Sequence, residues 1–170
     1  MNRVYLIADL HFGHVNVSKW RNFESVEIHD QLIIDNWNKT VNKNDTVWIL
    51  GDVAMGHEDN IDNLGLLNGY KKLILGNHDT RPSEHYLRYV ERVYGAHKLN
   101  NFILTHIPVH PSEFPRFKAN IHGHLHNETI DDPRYFCVSV EQINYTPILL
   151  IDIMSKINEK LYNSKLDIIT

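Results

Sequence analysis

The chain has 170 residues, 42% apolar and 22% charged, the balance of an ordinary soluble globular domain, and its length suits one domain spanning 1–170. A formal charge of −4 supplies no strong nucleic-acid-binding surface, and no apolar run approaches the ~20 residues a membrane span needs. A single cysteine, Cys137, excludes an internal disulfide framework and fits a reducing, cytoplasmic setting.

In chain order, Arg3 to Ala8 reads as a buried strand rather than a leader peptide and runs into the loop Asp9-Leu-His-Phe-Gly-His14. Ser25 is placed to cap a helix whose stripe is Ile28, Leu32, Ile33, Trp37 and Val41, ended by the turn Asn42 to Asp45. Thr46 to Leu50 is a second strand, ending at Gly51-Asp52. A helix over about His57 to Leu67 stops at Asn68-Gly69. The third strand, Lys71 to Leu75, ends at Gly76-Asn-His-Asp79. Ser83 then starts a helix through Leu87, Val90 and Tyr94, closed by Gly95.

After Gly95 short strands follow one another without helices: Ala96 to Leu99, Asn101 to Thr105, Ala119 to His122, Tyr135 to Val140 and Pro147 to Ile151. A closing helix covers Ser155 to about Asn163. Strand–helix alternation in the first half predicts a parallel sheet, and the second half suggests antiparallel strands.

Chemistry-bearing residues sit after the apolar runs: Asp9 and His11, Asp52, Asn77 and His78, His106, and His124 and His126. Rigid strand ends hold side chains in place while the turns leave them open to a ligand. Asp9/His11 and His124/His126 are spaced two apart, so in extended chain each pair points to one side. Hard oxygen donors mixed with imidazole, without thiolate, suit Mn, Fe or Zn better than Ca or Mg. Two chelating pairs plus single donors exceed what one tetrahedral ion uses, so two metals are expected, with Asp52 as the bridging carboxylate. Each fragment alone is weak, since His-x-His and Gly-Asp occur by chance; their joint occurrence, in order, is the signal.

Asp9-x-His11, Gly51-Asp52, Gly76-Asn-His-Asp79, His106 and Gly123-His-x-His126 resemble the five blocks of the calcineurin-like metallophosphoesterases. The opening Asp9-Leu-His-Phe-Gly-His14, with Asn16 soon after, is similar to a compact bacterial and phage subgroup of largely predicted phosphoesterases. The resemblance implies an α/β fold, a four-layer α/β-β/α sandwich of two mixed β-sheets flanked by helices. It implies one metal on Asp9, His11, Asp52 and His126 and another on Asp52, Asn77, His106 and His124. The cofactors it implies are two divalent ions, Mn first, with Fe, Zn or Ni as alternatives. The implied reaction is hydrolysis of a phosphodiester or phosphomonoester by attack of a metal-bridging hydroxide, with His78 as acid or charge stabiliser and Asp79 orienting it or capping a helix.

Arg81 is the better of two candidate phosphate grips, Arg21 being the other; His14 and Asn16 either contact substrate or order their loop. His110 and His122 read as structural, His29, His57, His85 and His97 as surface histidines, Cys137 as a small core residue, and the aromatic residues as core packing rather than a base-stacking platform. Only eighteen positions separate His106 from His124, which leaves no room for a cap domain. Gly51-Asp-Val-Ala-Met-Gly56 lacks the further acidic residue or Asn that many relatives carry. The site should therefore be shallow and tolerant, its partner a phosphoester substrate, nucleotides included; the sequence leaves the oligomeric state open. A nuclease of the same fold and a catalytically silent scaffold are the alternatives.

Overall fold

The apolar runs that end at Asp9, Asp52 and Gly76 lie side by side at the centre of one sheet. A computed structural model describes residues 2–166. β1 (Val4–Ile7), β2 (Thr46–Leu50) and β3 (Tyr70–Ile74) pair in parallel, Ile7 opposite Ile49 and Ile49 opposite Leu73. All three therefore end on the same side, which brings their C-terminal loops together.

The two-residue alternation of these strands divides the core. Tyr5, Ile7, Val47, Ile49 and Leu73 face Ile33, Ile34, Trp37 and Val41 of the helical layer, while Leu6, Trp48, Leu50 and Ile74 face the second sheet. The helical layer follows α1 (Val15–Trp20) and is built on α2 (Val26–Thr40), which Ser25 caps by accepting from Ile28 N. Its buried stripe is His29, Ile33, Ile34 and Trp37, and Ile28 and Leu32 of the expected stripe face solvent. The face is rotated because Trp37, fully buried, donates its indole N–H to Asn68 O at 2.9 Å and fixes which side of α2 turns inward. Filling that volume with a ring of this size is worth about 3–5 kcal/mol relative to Ala.

A 3₁₀ segment, Glu58–Leu66, stands where a helix is expected, and α3 (Ser83–Tyr86) is much shorter than predicted. The continuation through Tyr94 is instead β4 (Arg92–Tyr94), parallel to β3. The helical spacing of Leu87, Val90 and Tyr94 misleads because β3 would otherwise present an open edge; β4 covers it, with Leu75 N bonding Tyr94 O at 2.8 Å.

The second sheet runs β5 (His97–Leu99), β6 (Phe102–Leu104), β7 (Ala119–His122) and β8 (Tyr135–Cys137). Only β5 and β6 pair antiparallel; β6, β7 and β8 are parallel, contrary to the reading from sequence. The connections 105–118 and 123–134 reach the dozen or so residues a parallel crossover needs without forming a long helix. β9 (Ile148–Leu149) pairs antiparallel with β1, so the first sheet reads β4-β3-β2-β1-β9. α4 (Leu150–Leu166) packs against β1, β8 and β9 and puts Ile153 and Ile157 into the core shared by the two sheets. The architecture is α/β, two mixed sheets flanked by helices. No helix among the described residues is long and apolar enough to cross a membrane.

Candidate metal centre

The strand ends do not continue as extended chain. Asp9, His11, Asp52, His124 and His126 all have φ between 50° and 72°, the left-handed region. Non-glycine residues there cost roughly 1–3 kcal/mol each and persist where the surroundings over-determine them, which is typical of functional sites. The two i,i+2 pairs thus share a side through tight left-handed turns rather than through strand alternation.

Backbone bonds hold these turns to one another. Asp9 N donates to Gly51 O at 3.0 Å and His11 N to Asp52 O at 3.0 Å. The Asp79 carboxylate, buried, accepts from Asp52 N at 2.8 Å, Val53 N at 2.9 Å and Gly76 N at 2.8 Å, stapling the second loop to the third. Glycine is needed where loops touch: a Cβ on Gly76 would collide with the Asp52 carboxylate, and one on Gly123 would stand 2.7 Å from Asp9 Oδ2.

The result is a cluster of seven donor side chains. Ligand atoms of Asp9, His11 and His126 lie within 4.8 Å of one another, as do those of Asp9, Asp52 and His106. Asp52 Oδ2 is 3.7 Å from His11 Nε2 and 3.3 Å from His106 Nε2. Asn77 Oδ1 is 3.0 Å from His106 Nε2, and the His106 and His124 ring centroids are 5.1 Å apart. Asp9 Oδ1 and both ring nitrogens of His11 are buried without a hydrogen-bond partner among the described residues. Leaving such groups unsatisfied costs about 1–3 kcal/mol each, so a divalent cation is the partner this oxygen-and-imidazole set fits.

Electrostatics agree. Burial pushes the Asp9 carboxyl up and lowers His11 to about 3, so His11 is the neutral imidazole a metal requires. Burial also raises Asp52, but the hydrogen bond and charge of His106, with the His78 N–H, outweigh it and leave Asp52 at about 2. His106 is correspondingly raised: burial lowers it, and Asp52 and Asp9 more than compensate.

No family model matches the chain. It is 36% identical to the uncharacterised protein MJ1445 of Methanocaldococcus jannaschii, over 94% of this chain and 93% of that protein. It is 32% identical to the gene 66 protein of mycobacterium phage D29, over 83% of this chain and 89% of that one. The chain belongs to their family. The protein of unknown function AQ665 from Aquifex aeolicus has the same fold, with a TM-score of 0.74 at 26% identity over 91% of this chain and 99% of that one.

Around the cluster, His78 is exposed at its mouth, its ring 5.7 Å from that of His11 and its N–H on Asp52 Oδ1 at 2.9 Å. Asp79 takes neither role expected of it: its recorded partners are the three loop N–H groups and the Tyr86 hydroxyl, and the residue that starts α3 is Pro82. His14 caps α1 through Nδ1 and its ring lies 5.5 Å from His11, whereas Asn16 faces solvent on α1. Arg81 donates to Gly56 O at 3.3 Å and His57 O at 2.9 Å, bracing that turn.

Arg21 is no surface phosphate grip, and His29 is no surface histidine. Both are buried behind the centre, Arg21 donating to Asp9 O at 2.8 Å and to His29 Nε2 at 2.7 Å. His97 is half-buried, stacked on Trp48 with centroids 4.5 Å apart. His122 is buried with Nδ1 on Gly123 O, and His110 caps a short 3₁₀ turn. Three residues escaped the sequence pattern. Ser139 donates its hydroxyl to Asp9 Oδ2 at 2.6 Å, and Glu141 Oε1 accepts from His126 Nδ1 at 2.8 Å. Both follow the run Tyr135 to Val138, a further strand end of the same design. Trp20 is 52% exposed with its ring edge-on to His126, centroids 5.4 Å apart, unlike the buried Trp37 and Trp48.

Proposed function

We propose that this protein is a metal-dependent phosphoester hydrolase working with two divalent ions. The observation that carries the reading is the pair of overlapping donor triads, with buried, unpartnered Asp9 Oδ1 and His11 nitrogens, beside an exposed histidine. Asp9, His11, Asp52 and His126 would hold one ion and Asp52, Asn77, His106 and His124 the other. The position of Asp52 Oδ2 between two imidazoles supports its shared role. When bound, paired ions neutralise phosphate oxygens and make water acidic enough to react near neutral pH.

The chain's own groups do the rest. His78, at the mouth, is the proton donor to the leaving oxygen, a role typically worth 10²–10⁴-fold. A cleft of about 350 Å³ opens beside Asn77 and His106, lined also by Leu75, Thr105 and Ile107, and gives the ester group room on that side. Cavities of about 610 and 440 Å³ lie against α4 and one of about 500 Å³ against α2, all away from the donors. Trp20 offers a flat apolar surface next to His126, which suits an aryl or nucleoside ester over an alkyl one. Manganese is the first candidate ion, with iron, zinc and nickel next.

The test is a matrix of these four metals against bis-p-nitrophenyl phosphate, p-nitrophenyl phosphate and cyclic nucleotides. Metal-dependent release of product from at least one ester is expected. Ion uptake without hydrolysis of any of them would instead identify a catalytically silent scaffold.

A further inference from the structure

Behind His126 lies a chain of buried polar groups that the proposed chemistry does not use. Glu141 Oε1 accepts from His126 Nδ1 at 2.8 Å and from Arg21 Nε at 2.7 Å. Arg21, its side chain 0% exposed, also donates through Nη2 to Glu141 Oε1 at 2.7 Å and to Asp9 O at 2.8 Å. Its Nη1 donates to His29 Nε2 at 2.7 Å. Guanidinium only donates, so His29 Nε2 is the acceptor and its Nδ1–H is left for Asp30 Oδ1 at 2.7 Å. Asp30 Oδ2 in turn accepts from Gly13 N at 2.9 Å, returning to the loop that carries Asp9 and His11.

Burying a carboxylate and a guanidinium costs several kcal/mol per ion unless geometry and bonding compensate, so stability alone is a weak reason for such a pair. Glu141 Oε2, moreover, is buried with no hydrogen-bond partner among the described residues. What the carboxylate does is accept the hydrogen bond of His126 Nδ1–H with a full negative charge. It thereby fixes the imidazole in the form whose Nε2 lone pair is free, and it makes that nitrogen more basic.

We propose that Glu141 is a positioning residue for His126, held in place by Arg21, and that this network sets the affinity of the ion held by Asp9, His11 and His126. The inference rests on the two-ion reading of the centre. The conservative variant is Glu141→Gln, which keeps shape and can still accept from Nδ1–H, but without charge. Titration of the purified protein with Mn²⁺ and Zn²⁺ by calorimetry should show two ions in the wild type. In Glu141→Gln one ion should bind about 10–100-fold more weakly while the other is unchanged. In zinc-loaded protein, the His126 Nδ1–H proton resonance should move towards that of a weaker hydrogen bond.

If Glu141→Gln does not fold, Arg21→Lys keeps the charge without the fork of donors and should weaken the same ion several-fold. Wild-type uptake of two ions with unchanged affinity and an unchanged Nδ1–H resonance in the variant would overturn the proposal alone. No ion uptake by the wild type would overturn both it and the metal-centre reading beneath it.

Discussion

Asp45 and Asp9 close opposite ends of the same sheet, both buried, one just before β2 and the other just after β1. Asp45 has a donor on each oxygen: Arg3 N on Oδ1 at 2.9 Å, and Asn42 N at 2.9 Å and Arg3 Nη2 at 3.1 Å on Oδ2. Burial would raise it, but those donors and the Arg3 charge bring it to about 2. Asp9 has Ser139 and His124 N on Oδ2 and nothing on Oδ1, and burial raises its pKa. The same residue type is saturated where the fold needs closing and left with spare capacity where the left-handed loops meet. Local inconsistency confined to one end of a sheet is the physical mark of a site.

That contrast is broken most severely by Asp9→Asn. The amide can keep both Oδ2 bonds through its oxygen, but it removes a charged donor of the ion assigned to Asp9, His11, Asp52 and His126, so that ion and the activity should be lost. The metal-free protein should at the same time gain roughly 0.5–2 kcal/mol, since an uncompensated buried charge is gone. A metal-free variant less stable than the wild type, by chemical denaturation, would mean Asp9 is a fold-closing residue like Asp45.

Next in size is His78→Ala, which lies outside both sets of ligands. Ion content should stay at the wild-type value by elemental analysis while kcat falls about 10²–10⁴-fold. Loss of an ion would place His78 among the ligands instead.

The candidate donor set was legible because strand ends and glycines mark it in the chain: Asp9, His11, Asp52, Asn77, His106, His124 and His126 needed only order and neighbours. What lay behind it was not. Arg21 and His29 look like surface residues in the sequence, and only the packing of α1 and α2 brings Arg21 onto Asp9 O and His29 onto Arg21. Glu141 follows its strand by several residues and gains meaning only when Ala8 bridges to Ser139. The fold shows the same division. Apolar runs located β1 to β3 to within a residue or so, but strand direction in the second sheet depends on long crossovers with no periodic signal. β4 exists because an edge elsewhere needed covering.

Asp79→Ala separates stapling from proton work. Removing it leaves the N–H groups of Asp52, Val53 and Gly76 without their acceptor in a buried place. At about 1 kcal/mol or more each, the protein should lose on the order of 3 kcal/mol. That corresponds to a Tm lower by roughly 6–12 °C for a chain of this length. Ion affinity should fall with it, because Asp52 loses its anchor. An unchanged Tm with reduced kcat would show that Asp79 acts through His78 after all.

The smallest effect belongs to the saturated end. Asp45→Asn removes charge from a carboxylate that ties Arg3 to the turn at Asn42, at a cost of about 1 kcal/mol, or about 2–4 °C in Tm at neutral pH. The folded pKa of Asp45 lies below the ordinary 3.8, at about 2. The unfolded chain therefore binds the proton first, and the stabilisation is full above about pH 4 and lost as pH falls towards 2. Asp9 has the opposite sign: with its folded pKa raised above the ordinary 3.8, its contribution in metal-free protein is full below that pH and declines as pH rises above it. Urea melts of metal-free wild type and Asp45→Asn between pH 7 and pH 2 should thus converge as acid is added, and the ion affinity of the two proteins should stay equal. An Asp45→Asn protein that binds ions more weakly would tie the far end of the sheet to the site, and the two ends could no longer be treated as independent.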